Sequence, residues 1–349
     1  MRTKKFGFAI VGTGAIAGIH AKAIEVIENG FLLGVYSRTK SKAEEFAKEY
    51  NCSVYDSLDD LLLLDDLDIV CICTPSGAHL EPALKSIRAG KHCLIEKPLE
   101  VSIEKSDKII DAAKARGVTI AVVYPSRFYE VSQELKNAIE NGRFGKLVLG
   151  TVHVKWNRSD AYYNSAEWRG TWELDGGGAL MNQAIHSIDM LQWCMGPVES
   201  VQAITGNIRH KNIEVEDTAV AVLKFANGAL GTVECSTAVY PGVFKQMQIM
   251  GTTGTAVLED NYVLKWQFED EQNGDKRIRE GLPTNGVSKG GVSDPLSISY
   301  WGHQRQMEDM IQAIETGKKP LIDGEEGRKS IEIVLAIYKS AKSGRLIML

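Results

Sequence analysis

The chain has 349 residues, 44% of them hydrophobic and 24% charged, with a formal net charge of −5. That is the composition of an ordinary globular protein long enough for two domains. The weakly acidic balance gives no basic footprint for nucleic acid, and no apolar run approaches the ~20 residues of a membrane helix, so neither partner is expected.

The start, Met1-Arg2-Thr3-Lys4-Lys5-Phe6, runs into a strand without a signal-type apolar stretch. The six cysteines lack the clustered spacing of a disulfide framework or a zinc site. Reduced thiols, no metal and a cytoplasmic location are the expectation.

Phe6–Val11 is an apolar run suited to a strand covered on both faces. It leads straight into Gly12-Thr13-Gly14-Ala15-Ile16-Ala17. Gly12 permits a tight turn, and Gly14 lets the backbone approach a pyrophosphate. Ala15 and Ile16 open a helix marked by apolar residues at Ile16, Ile19, Ala23, Ile24 and Ile27. Its free N–H groups and positive dipole end suit phosphate. The runs Leu32–Tyr36, Ile69–Cys73, Cys93–Ile95 and Val118–Val123 alternate with helical patterns at Ser41–Tyr50, Glu81–Ala89 and Ile103–Arg116. Such alternation predicts a parallel sheet with helices on both faces.

The second strand ends in Ser37-Arg38-Thr39-Lys40, without the acid that usually holds the adenosine 2′-hydroxyl of NAD. Ser37 can hydrogen-bond there, and Arg38 can stack on adenine and pair with a 2′-phosphate. NADP(H) is therefore the favoured cofactor, with NAD(H) the alternative. Glu96-Lys97-Pro98 closes a later strand of the same sheet, where open α/β sheets bind ligands. A lysine beside a nicotinamide suits proton transfer coupled to hydride transfer at a hydroxyl or carbonyl carbon.

After Tyr124-Pro125 the pattern changes. A helix at Glu130–Asn141 is followed by strand-like stretches at Leu147–Trp156, Val198–Ile208, Thr218–Phe225, Ala229–Ala238, Lys245–Met250, Thr255–Glu259 and Tyr262–Phe268. Asn227-Gly228 is a hairpin signal. Further helices are expected at Ala179–Cys194, His303–Thr316 and Glu325–Ser343, and a surface loop over Glu269–Pro295. The fold class is an α/β Rossmann domain, residues 1–124, plus an α+β domain, residues 125–349, with a large, open, mostly antiparallel sheet. Few helices remain to cover that sheet, so an uncovered apolar face predicts a homodimer or homotetramer.

A continuous helix from Ala179 would set Asn182, His186 and Asp189 on one face at i, i+4 and i+7. The preceding stretch, Trp156–Gly178, places Tyr163, Trp168 and Arg169 among polar residues. Aromatic rings beside polar groups suit a sugar, and equally a subunit interface.

The glycine loop, Cys73-Thr74-Pro75-Ser76-Gly77-Ala78-His79, Glu96-Lys97-Pro98, and Gly176-Gly177-Gly178-Ala179 continuing through His186 to Asp189 occur in an order that resembles the glucose–fructose oxidoreductase/inositol dehydrogenase/rhizopine catabolism (Gfo/Idh/MocA) family. The resemblance covers nearly the whole chain. It implies an NAD(P)-dependent oxidoreductase acting on a hydroxyl or carbonyl carbon of a small sugar or cyclitol-like substrate. By the same resemblance, Lys97 carries the proton and also meets cofactor and substrate. Thr74, Pro75 and His79 border the nicotinamide end, Glu96 contacts the ribose, His186 is the second catalytic group and Arg127 faces the substrate. Asn182 departs from an aspartate of inositol dehydrogenase-like members. An amide can bind a hydroxyl but cannot act as a general base. Two other functions share the motifs: redox-neutral glycoside cleavage with a retained dinucleotide, and a non-catalytic dinucleotide-binding regulator.

Overall fold

The computed structural model describes residues 4–282 and 299–349. Among these, one compact unit holds residues 4–125 and 299–328, and a second holds 126–282 and 329–349. The boundary expected at 124/125 assigns 299–328 to the second domain, whereas these residues pack with the first unit. The helix Trp301–Thr316 buries Met307, Met310 and Ile311 in the same core as Phe6, Phe8, Ile10 and Ile24.

The first unit contains strands β1 (Phe6–Val11), β2 (Gly30–Tyr36), β3 (Ser53–Val54), β4 (Leu67–Ile72), β5 (His92–Ile95) and β6 (Ile120–Val122). They pair in the order β3-β2-β1-β4-β5-β6, all parallel. The order reverses between β1 and β4, and ligands of such sheets bind outside the strand C-termini at that switch. All six residues of β1 are buried, as a strand covered on both faces requires. Gly12 has φ +98°, and a Cβ there would lie 2.7 Å from the carbonyl oxygen of Cys73. Only glycine fits both the turn and that approach. Sequence reading missed β3 and a short helix, Leu58–Leu62, whose N-cap Ser57 accepts a hydrogen bond from the Asp60 N–H.

The second unit adds β7 (Leu147–Lys155), β8 (Val198–Gly206), β9 (Thr218–Phe225), β10 (Leu230–Ser236), β11 (Gln246–Gly251), β12 (Gly254–Glu259), β13 (Tyr262–Phe268) and β14 (Ile347–Met348). The sheet runs β13-β12-β11-β7-β10-β9-β8-β14. Only the β7–β10 pairing is parallel, so the sheet is open and mostly antiparallel, as expected. Burial alternates along β9, turning Ala219, Ala221, Leu223 and Phe225 inward. On the outer face Val220 is 51% exposed, and its cross-strand partner Ile204 is 79% exposed. The inner face meets a helix, Ile185–Met195, where Gly150 of β7 leaves room for Met195 and Leu191.

Two expectations are corrected. The stretch Glu269–Pro295 is not all loop: Asp275–Glu280 is helical, and residues from 283 onward lie outside the described residues. The Asp275 carboxylate accepts hydrogen bonds from both Arg143 terminal nitrogens and from Trp266 Nε1, each at 2.7 Å, anchoring this turn to distant partners. The helix expected over Ala179–Cys194 is π-helical at Ala179–Ala184 and α-helical only at Ile185–Met195. Among the described residues no helix is long and apolar enough to cross a membrane, and all six cysteines are unpaired thiols.

Candidate active site

The loop after β1 is open where a dinucleotide would need space. Gly14 is exposed, and a Cβ built on it meets nothing within 4 Å. The helix Ala15–Val26 begins there with no side-chain cap, with Ala15 exposed and Ile16 half-buried. Uncapped leading N–H groups of this kind suit an anion. Thr13 Oγ1 donates to Ser37 Oγ at 3.2 Å, joining this loop to the turn after β2, where Arg38 is exposed. Thr74 and Pro75 are half-buried, and the Thr74 hydroxyl donates to the Ala78 carbonyl at 3.0 Å. These features fit a nicotinamide dinucleotide, which when bound would supply or accept hydride.

At the end of β5, Lys97 is half-buried and follows a buried glutamate. Glu96 is 6% exposed. Its Oε2 accepts from the Lys97 backbone N–H at 3.2 Å, and its Oε1 lies 2.8 Å from His20 Nε2 and 3.7 Å from His303 Nε2. Burial alone would push this carboxyl up, but the two imidazoles outweigh it and hold Glu96 well below the usual carboxylate range. His79 is also buried, with Nδ1 2.9 Å from the Pro98 carbonyl oxygen and Nε2 3.0 Å from that of Thr74. Burial lowers its pKa, opposed by these two carbonyl oxygens. The Lys97–Pro98 bond is cis. The resemblance expects Glu96 at the ribose and His79 beside the nicotinamide. In the structure both side chains flank the Lys97–Pro98 turn from inside the unit. His20 and His303 were not singled out by sequence reading.

In the second unit, Gly178 lets the chain press against Glu216, whose carbonyl oxygen would lie 1.7 Å from an added Cβ. The Glu216 carboxylate accepts from the N–H groups of Gly178 (3.0 Å) and Leu180 (2.8 Å) and from the Tyr338 hydroxyl (3.0 Å). It thereby caps the π-helical turn. Burial outweighs these donors and pushes Glu216 up from 4.5 to about 7. A π-turn widens the helix, and such turns are frequent at functional sites. The α-helical stacking of Asn182 over His186 therefore does not follow from spacing, whereas His186 and Asp189 keep their i, i+3 relation inside the α-helical part.

Asn182 is half-buried and donates to Asp175, while its Oδ1 accepts from Gln183 Nε2 at 2.9 Å. Gln183 also donates to the Tyr162 hydroxyl at 3.0 Å, and Arg169 donates to the same oxygen at 2.6 Å. The Arg169 guanidinium lies over the rings of Tyr162 and Trp168, 4.3 and 4.7 Å from their centroids. Asn182, Trp168 and Arg169 thus join one polar–aromatic network around the π-turn. Tyr163 turns inward, with its hydroxyl 2.8 Å from Thr237 Oγ1. Arg127 is 1% exposed and forms a bidentate pair with Asp189, at 2.9 and 2.7 Å. It braces the helix, although the resemblance turns it toward substrate. His186 is half-buried and lines a small, solvent-open recess with Lys245, Asp260, Ser126 and Ser187. Burial lowers the Lys245 ammonium pKa, opposed by Asp260. Lys245 carried no sequence signal beyond its place in a strand.

A six-stranded parallel sheet with an open loop after its first strand is the doubly wound dinucleotide-binding architecture, here joined in one chain to an open, mostly antiparallel sheet. Residues 6–124 match the model described as "Oxidoreductase family, NAD-binding Rossmann fold", and residues 132–257 match "GFO/IDH/MocA C-terminal domain". The chain belongs to the Gfo/Idh/MocA family. It is similar to the WlbA dehydrogenase of Chromobacterium violaceum, solved with NADH and UDP-GlcNAcA: 34% identity, TM-score 0.89, covering 100% of this chain and 97% of that one. The Bordetella pertussis WlbA dehydrogenase, in complex with the same two compounds, is 32% identical with TM-score 0.88 and 99% coverage of both chains. Myo-inositol 2-dehydrogenase of Thermotoga maritima is 25% identical over 97% of each chain.

Proposed function

We propose that this oxidoreductase transfers hydride between a nicotinamide dinucleotide and a hydroxyl or carbonyl carbon of a nucleotide-linked acidic sugar. Lys97 donates or accepts the proton of the reacting oxygen, and His186 supplies a second hydrogen bond to it. The observation carrying the reading is Lys97 itself, half-buried at the C-terminal end of β5 and bonded through its N–H to Glu96. The substrate class draws support from the two WlbA dehydrogenases solved with UDP-GlcNAcA and from the Lys245 ammonium in the recess beside His186. Asn182 and the Trp168–Arg169 pair serve the sugar side.

For the dinucleotide, the turn Ser37-Arg38-Thr39 offers hydroxyls and a guanidinium and no carboxylate, which favours NADP(H). NADH in both WlbA complexes favours the second reading, NAD(H). The outer sheet face carrying Ile204, Val220 and Val222 is assigned to a homodimer or homotetramer contact, in a cytoplasmic enzyme.

The test is absorbance at 340 nm with UDP-GlcNAcA, other UDP-sugars, free sugars and myo-inositol, each with NAD and NADP. Turnover is expected with a UDP-linked uronic acid. Lys97→Ala should keep dinucleotide binding and lose ~10²–10⁴-fold in turnover, the range for a general acid–base group. Undiminished turnover in that variant ends the assignment.

A further inference from the structure

Three buried side chains from distant parts of the first unit converge beneath Lys97. His20 lies on the helix Ala15–Val26, Glu96 follows β5 and His303 lies on the helix Trp301–Thr316. Their exposures are 0%, 6% and 3%. The two imidazole rings meet edge-on, with centroids 5.3 Å apart. Both present Nε2 to the same oxygen, Glu96 Oε1, at 2.8 and 3.7 Å, and both Nδ1 atoms are buried without a hydrogen-bond partner.

That pattern fixes the protons. A neutral imidazole carries one N–H. Placing it on Nε2 aims a donor at the carboxylate and leaves Nδ1 as a bare acceptor. The opposite tautomer would set a lone pair against a carboxylate oxygen and bury an unsatisfied N–H. His20, whose burial lowers its pKa, is therefore Nε2–H, and Glu96 is ionised. Its other oxygen, Oε2, accepts the Lys97 backbone N–H at 3.2 Å. On the other side of the turn, His79 Nδ1 lies 2.9 and 3.3 Å from the Pro98 and Leu99 carbonyl oxygens, so the chain is gripped on both sides of Lys97.

The three ligand-type atoms lie within 4.8 Å of one another, close enough to surround a metal ion. Histidines that bind metal almost always donate their other N–H to an orienting partner. Here neither Nδ1 has one, and Glu96 Oε1 already accepts from His20. The hydrogen-bonded cluster is the better account.

We propose that His20 and His303 are positioning residues for Lys97: acting through the Glu96 carboxylate, they fix the Lys97 backbone N–H and hence the root of its side chain. This rests on the reading of Lys97 as the proton carrier. His20 is the direct donor, and His303 orients the carboxylate from the opposite helix. A shift of about 1 Å at a reacting group is enough to cost ~10²-fold in rate.

The experiment measures hydrogen exchange at the Lys97 amide by NMR on the full chain, in His20→Leu, His20→Gln and His303→Leu. Turnover of a UDP-linked uronic acid with NAD and NADP accompanies it. His20→Leu should speed exchange at this amide ~10–100-fold, the range for a hydrogen bond to a charged group. It should lower kcat while leaving dinucleotide affinity unchanged. His20→Gln, which restores an N–H at the ε position, should recover both. His303→Leu should act in the same direction and remains informative if His20→Leu does not fold. In a Lys97→Ala background, His20→Leu should cause no further loss of turnover. An unchanged Lys97 amide in both Leu variants, failure of Gln to rescue, or an added loss in the Lys97→Ala background overturns the proposal. So does a stoichiometric metal in the purified protein. Full turnover in Lys97→Ala instead refutes the proton-carrier reading, whatever the amide does.

Discussion

Removing either half of the Arg127–Asp189 pair should be among the most damaging single changes in the second unit. Both side chains are essentially out of water, at 1% and 0% exposure, and two charge-assisted bonds of 2.9 and 2.7 Å join them. The guanidinium also lies 5.2 Å from the centre of the Trp193 ring. Arg127→Met leaves a buried carboxylate without its cation, for which ~3–5 kcal/mol is the usual cost. That is roughly a third or more of a typical domain's stability. Asp189→Leu strands the guanidinium and should cost a similar amount. The double variant Arg127→Met/Asp189→Leu removes both charges and fills the space with apolar atoms. It should recover most of the loss, because replacing a whole buried pair is often neutral. Urea titration followed by tryptophan fluorescence measures all four corners of the cycle, with the m-value checking that one transition is being compared. The Michaelis constant for the sugar should stay near wild type in the double variant if Arg127 is a brace. A single variant within ~1 kcal/mol of wild type, or a double variant as unstable as the singles, would refute the argument, since neither leaves room for a stranded charge.

Arg38→Ala should weaken NADP(H) by at least ~10-fold while sparing NAD(H), as expected for loss of a charge-assisted contact to the 2′-phosphate; equal losses in a fluorescence titration would show that Arg38 does not read it. Glu216 binds its proton more tightly in the folded state, rising from 4.5 to about 7, so its contribution to stability is complete below pH 4.5 and is lost as pH climbs through 7. That shift is worth roughly 3 kcal/mol, and Glu216→Gln should flatten the stability profile between pH 5 and 7.5, measured by urea midpoints; an identical slope in the variant rules Glu216 out as its source. Light scattering at micromolar concentration should give a dimer or tetramer mass, and Val220→Lys with Ile204→Lys should lower it, since both side chains lie on the exposed sheet face; a wild-type monomer would count against that face as an interface.

What was legible in the sequence follows the range of the interactions involved. Phe6–Val11, Ile103–Arg116, Thr218–Phe225 and Tyr262–Phe268 were read to the residue, because unbroken apolar runs, alternation and helix stops are local signals. Strand order was not written in any one segment: the parallel β7–β10 contact joins residues about eighty positions apart, inside a sheet otherwise antiparallel. The helix Asp275–Glu280 was read as loop because its organising contacts come from Arg143 and Trp266. The π-turn at Ala179–Ala184 was invisible for a related reason. Its residues are compatible with an ordinary helix, and the carboxylate holding its first N–H groups is Glu216, on a separate segment.

The same division governs the chemistry. Gly12, Gly14 and Lys97 stand out in the sequence because each is marked by backbone geometry that its own segment creates: a tight turn, an open helix start, the end of a strand. The groups around Lys97 were not. His20 reads as one more residue on the core face of its helix, and His303 as the start of a distant one. Glu96 reads as half of a motif rather than as a carboxylate buried between them. Only the fold reveals that the Lys97 backbone N–H rests on a buried carboxylate flanked by two imidazoles. A sequence pattern can therefore point to a candidate reacting group, while its buried surroundings come from residues whose only shared property is where the chain returns. The resemblance to dehydrogenases identifies the first set. Physical accounting of each buried polar atom identifies the second, because a buried carboxylate without donors would not remain ionised.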